Sequence, residues 1–204
     1  AHRLHIRRQL NVPADGVLAL CVAHNFKLKG VPRLMEAVSR VLAQAHGTSD
    51  SSGRKDLYTV VVGRDDLTPY VRLAEHLGIS GRVVFAGPTQ RISAFFHASD
   101  LLVHPTYYDP CSRVVLEAMA AGLPAITTRF NGAAEKIVSG QSGYVIESPD
   151  DTTALAEALG NLCDASRRES MGARALEAVS GLTMARHAEQ VLALYDELLR
   201  RRTE

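Results

Sequence analysis

The sequence predicts an α/β fold built on a doubly wound parallel sheet, and three observations lead there. Strand-like and helix-like segments alternate along almost the whole chain. One strand-like run, VLALCVA (residues 17–23), is apolar throughout, as parallel strands covered on both faces are, and LYTVVVG (57–63) reads as a second strand. A third stretch, DLLVHPTYYDPCSRVVLEAMAAGLPAITT (100–128), reads strand, loop, helix, tight turn, strand.

The elements follow in order. HRLHIRRQL (2–10) is helix-like and leads into the first strand at 17–23. From 30 to about 46, apolar residues at Val31, Leu34, Ala37, Val38, Val41 and Leu42 recur at helical spacing. Residues 47–56 (GTSDSSGRKD) are polar and rich in Gly and Ser, the composition of a surface loop. The second strand (57–63) precedes a helix at 69–77. RVVFAG (82–87) is the third strand, and 90–98 a short helix. Leu101, Leu102 and Val103 form a fourth strand that stops at His104-Pro105, because proline lacks the backbone donor. A helix opens at Cys111 or Ser112 and runs to about Ala121. Gly122 ends it in the left-handed region, Pro124 bars its return, and 125–128 restart a strand. GAAEKIVS (132–139) is expected as a helix and GYVIE (143–147) as the last strand. Segments 150–164, 166–179 and 183–202 read as C-terminal helices, with Asp150 and Ser166 capping the first two.

Composition narrows the function classes. With 204 residues, 46% hydrophobic and 22% charged, the chain can bury the core of one large domain. A net charge of +1 provides no field to gather nucleic acid, and none is expected as a partner. Basic clusters within 3–8 and 200–202 read as solvated helix ends, with a peripheral membrane contact as the alternative. Cys21, Cys111 and Cys163 show no paired spacing, which points to a reducing, cytoplasmic compartment rather than to disulfides or a zinc site. No apolar run of spanning length occurs in the sequence, and neither a signal peptide nor a membrane span is expected. A helix that begins at once, without an initial methionine, reads as a piece excised from a longer protein.

The chemistry concentrates after the fourth strand. A helix starting there faces the strand's carboxyl end with amides that lack intrahelical partners, and such an end holds phosphate. Asp109 in the loop and Glu117 in the helix bracket it. An anion site between two hydroxyl-accepting carboxylates suits a sugar joined to a nucleoside diphosphate. No Asp-x-Asp occurs to anchor a divalent metal. No G-x-G-x-x-G follows the first strand, and there is no Walker A lysine. His104, between an apolar strand and a proline, reads as structural.

Asp109, seven residues, then Glu117, followed by EAMAAGLPAITT, resembles the acidic-x7-Glu motif of retaining glycosyltransferase family 4 (group 1), whose members have the GT-B fold. The DLLVHP strand and LEAMAAGLPAITT tail are most similar to its lipopolysaccharide glucosyltransferase I branch. The resemblance spans about 17–146, more weakly the rest, and only the second half of a GT-B enzyme. It implies that 1–204 form the Rossmann-like, C-terminal donor-binding domain, with the N-terminal acceptor domain absent. It implies transfer of a hexose, with no metal or cofactor, from a nucleoside diphosphate sugar such as UDP-glucose to a glycan or lipid-linked glycan of lipopolysaccharide type. By position, Glu117 would accept the ribose hydroxyls, Asp109 would face the hexose and Lys29, before Gly30, would neutralise the diphosphate. Cys111, Ser112, Arg113 and Val114, after Pro110, would offer backbone amides. Gly87, Pro88 and Thr89 would clasp the base, while Gly132, with Phe130, Asn131 and Ala133, would border the sugar. The chain departs from the pattern at three places: Asp109 replaces the usual Glu, Leu28 a basic residue, and His24 a common Arg, for which Lys27 could substitute. A GT-B epimerase and a non-catalytic nucleotide-sugar-binding module are the competing readings.

Overall fold

The computed structural model describes residues 2–46 and 56–203, so of the loop expected over 47–56 all but Asp56 lies outside the described residues. Strands β1 (Val17–His24), β2 (Leu57–Arg64), β3 (Val83–Gly87), β4 (Leu101–His104), β5 (Ala125–Thr128) and β6 (Gly143–Ile146) form one sheet in the order β3-β2-β1-β4-β5-β6. Every neighbouring pair is parallel. Helices α2 (Val31–His46), α3 (Thr68–His76) and α6 (Thr152–Asn161) cover one face. On the other lie α1 (His2–Gln9), α4 (Ile92–Ala98), α5 (Arg113–Ala120) and α7 (Ala165–Val179). The doubly wound α/β architecture is the one the sequence predicts.

Alternation along the strands explains why both faces are apolar. Ala19, Cys21, Val61, Leu101 and Val103 pack under α2, α3 and α6, whereas Leu18, Leu20, Val60, Val62 and Leu102 pack on the opposite side. Each fully buried leucine stabilises the fold by roughly 1.5–3 kcal/mol. A last helix, α8 (Met184–Thr203), keeps almost all of its residues exposed.

Several local expectations need correction. Residues 132–139 do not form an α-helix; Gly132–Lys136 make a 3-10 turn, capped by the Asn131 side chain at the Ala133 amide. The chain then leaves because the Ser142 hydroxyl takes the Val138 amide at 3.0 Å. The caps fall on other residues than expected: Asp151 accepts from the Ala154 amide and Asp164 from the Arg167 amide. Asp150 is engaged elsewhere, by the Tyr107 hydroxyl and Arg33, and the Ser166 hydroxyl donates to Asp164.

The basic cluster in 3–8 is not all solvated. Arg7 is 1% exposed and donates to the carbonyls of Ala98 (3.0 Å) and Gly16 (2.7 Å), while pairing with Asp100. Burial lowers its pKa, against the pull of Asp100. Arg3 pairs with the same carboxylate at 2.6 Å, and Asp100 also accepts from the Leu18 amide at 2.7 Å. These two arginines rivet α1 to the amino end of β4.

Candidate functional site

The strand order places β1 beside β4, although the chain forms β2 and β3 between them. Winding direction reverses at that seam, and the loops leaving the two carboxyl ends diverge. A cavity of about 600 Å³ opens there, lined by His24 and Lys29 from the β1 side and by His104 and Asp109 from the β4 side. Cys111, Ser112, Arg113, Val114 and Glu117 complete it from the start of α5, and Pro88 and Thr89 from beyond β3.

Local backbone chemistry sets these positions. Gly30 sits at φ +70°, and a Cβ there would lie 2.0 Å from the Pro105 carbonyl oxygen, so only glycine lets the start of α2 press on the loop after β4. That contact brings the Lys29 ammonium to 2.8 Å from Asp109 Oδ2 and 3.3 Å from the Tyr108 carbonyl. Asp109 is fixed through its backbone: its amide donates to the Phe130 carbonyl, and its carbonyl accepts from the Gly132 amide, both at 3.0 Å. A Cβ on Gly132 would lie 2.0 Å from the Pro110 carbonyl oxygen.

Charge is unevenly satisfied. Asp109 Oδ2 is shared by Lys29 and by His104 Nε2 at 3.4 Å, and Oδ1 accepts from the Cys111 amide at 3.2 Å. The bond from His104 holds the Asp109 carboxyl well below the usual carboxylate range; burial opposes this, and Lys29 adds to it. At the helix start the Ser112 amide is taken by Asn131 Oδ1 at 3.1 Å. Of the four amides expected to face a ligand, two are thus occupied, and those of Arg113 and Val114 have no partner among the described residues. The Ser112 side chain makes no cap bond. Glu117 is exposed on the cavity wall. Cations, free amides and a carboxylate around one opening can hold a ligand that carries both phosphate and hydroxyl groups. Among the described residues, no group of three or more His, Cys, Asp or Glu could hold a metal ion.

Other expected residues stand apart. Lys27 lines a separate cavity of about 540 Å³ with Leu28, Arg33 and Tyr107, apart from the one that His24 and Lys29 line. Gly87 ends β3 at φ +70°, and neither it, Pro110 nor Gly132 lines the main cavity.

The family model for glycosyl transferases group 1 matches residues 2–178. The chain belongs to this family. Lipopolysaccharide glucosyltransferase WaaG of Escherichia coli (strain K12) is 36% identical over 155 residues, 76% of this chain and 39% of that protein. D-inositol 3-phosphate glycosyltransferase of Corynebacterium diphtheriae is 27% identical over 199 residues, 94% of this chain and 45% of that one. The crystal structure of WaaG, a glycosyltransferase involved in lipopolysaccharide biosynthesis, superimposes with a TM-score of 0.76 at 30% identity, over 88% of this chain and 46% of the other. The chain spans less than half the length of these relatives.

In this group 1 glycosyltransferase chain, two residues of the site escape a reading by sequence. His104 lines the cavity and contacts Asp109 instead of merely ending a strand. Its signal was its place at the carboxyl end of a strand leading into the motif. Asn131, expected to shape a sugar pocket, is buried and builds the site from behind, accepting from the Ser112 and Ala133 amides and donating to the Thr127 hydroxyl. An Asn directly before Gly is the local signature of such a cap.

Proposed function

We propose that the chain is the donor-binding, C-terminal half of a retaining, metal-independent hexosyltransferase, moving a hexose from UDP to a glycan of lipopolysaccharide type. One observation carries the reading: the free Arg113 and Val114 amides, the Lys29 ammonium and Glu117 converge on one cavity at the seam between β1 and β4. The diphosphate lies at the start of α5. Lys29 neutralises the charge that builds on it as the glycosidic bond breaks, which lowers the barrier. Glu117 accepts the ribose hydroxyls with two ionised oxygens. Backbone near Pro88 and Thr89 clasps the base, and Asp109 faces the hexose beside the loop of Gly132.

The acceptor attacks from the side on which the diphosphate departs, and a donor phosphate oxygen takes its proton. No protein nucleophile is required. The acceptor is held by an N-terminal half across the cleft, so this chain alone binds donor without transferring sugar. The similarity to WaaG supports glucose and a lipopolysaccharide acceptor, and the three free cysteines support a cytoplasmic location at the inner membrane face.

Calorimetric titration of the 204-residue chain with UDP in excess chelator tests this. A dissociation constant on the order of 0.1–1 mM is expected, weak because one wall of the cleft is missing. Binding that appears only with magnesium or manganese overturns metal independence. No binding of UDP under either condition overturns the donor-site assignment.

A further inference from the structure

The Asp109 carboxylate stands at a fork, since Lys29 and His104 share its Oδ2. The two partners are held very differently. Lys29 rides on a flexible four-carbon stem from the loop after β1, and its second contact is a carbonyl oxygen, so it is free to swing. His104 is the last residue of β4, is 2% exposed, and has its carbonyl bonded by the Thr127 hydroxyl at 2.9 Å. Its contact with Asp109 assigns the ring proton to Nε2. Nδ1 is then a buried acceptor with no partner among the described residues. An apolar side chain would fill the same space without burying an unpartnered nitrogen. The imidazole is therefore present for its other nitrogen, the one facing Asp109.

We propose that His104 is a positioning residue for the donor sugar: it is the fixed partner that keeps Asp109 aimed into the cavity once the diphosphate draws Lys29 away. This deepens the donor-binding reading and rests on it. A diphosphate at the start of α5 carries more negative charge than one carboxylate and lies within the same cavity, so it competes for Lys29. When Lys29 leaves, one place on Asp109 Oδ2 opens to a sugar hydroxyl, and His104, at 3.4 Å while the oxygen is shared, closes on the other. The charged and titratable groups sharing this cavity are His104, Asp109 and Cys111 from β4 and its loop, His24 and Lys29 from the β1 side, and Arg113 and Glu117 from α5. With Lys29 gone, His104 is the one side chain among them that bonds the Asp109 carboxylate, beside the Cys111 amide on Oδ1. Loss of His104 then removes the largest influence that lowers the Asp109 pKa, which shifts upward.

The test measures UDP and UDP-glucose binding by calorimetry between about pH 5 and pH 8. It uses the wild-type chain, His104→Leu, which removes the donor, and His104→Gln, which returns an N–H of similar reach. Each variant is also combined with Asp109→Asn, and thermal unfolding checks the fold. If the leucine variant does not fold, His104→Asn, whose amide stops short of Asp109, replaces it. UDP affinity should stay within about twofold throughout. UDP-glucose affinity should fall about tenfold in His104→Leu, the worth of one hydrogen bond, and be largely restored in His104→Gln. In the Asp109→Asn background the histidine changes should add nothing. The preference for UDP-glucose over UDP should decline toward pH 5 in His104→Leu and stay level in the wild type. Equal losses for both ligands, no rescue by glutamine, or a loss that persists beside Asp109→Asn overturns the proposal while leaving the donor site intact. If UDP binds no form of the chain, the donor-site assignment falls and this inference falls with it.

Discussion

β4 has an aspartate immediately before it and another shortly beyond it, and each is held by two basic side chains. At the amino end, Asp100 accepts from Arg3, Arg7 and the Leu18 amide, and Arg7 spends its remaining donors on the Ala98, Pro13 and Gly16 carbonyls. Arg7 and Asp100 are enclosed by protein partners, and the cluster closes the structure. At the carboxyl end, Asp109 is paired with Lys29, both side chains remain partly exposed (16% and 18%), and His104 keeps a nitrogen without a partner among the described residues. That cluster borders a cavity and the Arg113 and Val114 amides, which have no partner among the described residues. Similar charges at the two ends of one strand thus serve opposite ends: saturation makes a joint, and incomplete satisfaction makes a site.

Substitutions can break or sharpen this contrast. The largest effect should come from Asp100→Ala, which leaves the buried Arg7 charge uncompensated and should cost about 3–5 kcal/mol in urea unfolding, with UDP affinity unchanged where the chain is folded. An affinity loss there without a stability loss would erase the distinction. Glu117→Gln should do the reverse. It should weaken UDP by about 1.5–3 kcal/mol, the scale for hydrogen bonds to a charged group, and leave the melting temperature alone because the side chain is exposed.

Asp109→Asn should spare UDP or tighten it slightly, since Lys29 loses its counter-ion, and should weaken UDP-glucose by about 1.5 kcal/mol, no less than His104→Leu does. The sign of its pH dependence follows from its lowered pKa. Stability contributed by Asp109 is complete above the ordinary carboxylate range and is lost as pH falls through the lowered value. The unfolding free-energy difference between wild type and Asp109→Asn should therefore be level above about pH 5 and shrink below about pH 4. Tyr107→Phe should matter least. It removes a 2.6 Å bond to Asp150 beside the second cavity, in an exposed network with Arg33, and should change stability by no more than about 0.5 kcal/mol.

Much of the fold was legible because its signals are local and periodic. An unbroken apolar run marked β1, a β-branched and largely apolar one marked β2, and the Gly122-Leu123-Pro124 turn marked the end of α5, where Gly122 does adopt φ +76°. What was not legible depends on partners distant in sequence. Residues 132–139 have helical composition, but Asn131 and Ser142 capture their amides at the two ends and hold one short turn. Asp150 has the chemistry of a cap, yet Tyr107 and Arg33 claim it. Arg7 belongs to a helix that looks solvated until Asp100, far along the chain, arrives beneath it. At the site, Lys29, Asp109 and Glu117 were singled out by the family resemblance and do line one cavity, whereas the contact of His104 with Asp109 follows from the course of the loop after β4.

The contact between Gly132 and the Pro110 carbonyl bears on how such sites diversify. Because no side chain fits between them, and because residues 109 and 130–132 exchange backbone bonds, the loops after β4 and β5 form one module. A designer wishing to alter sugar preference by grafting would need to transplant residues 105–112 and 129–133 together. Moving either alone would set a foreign backbone against a surface shaped for its former neighbour.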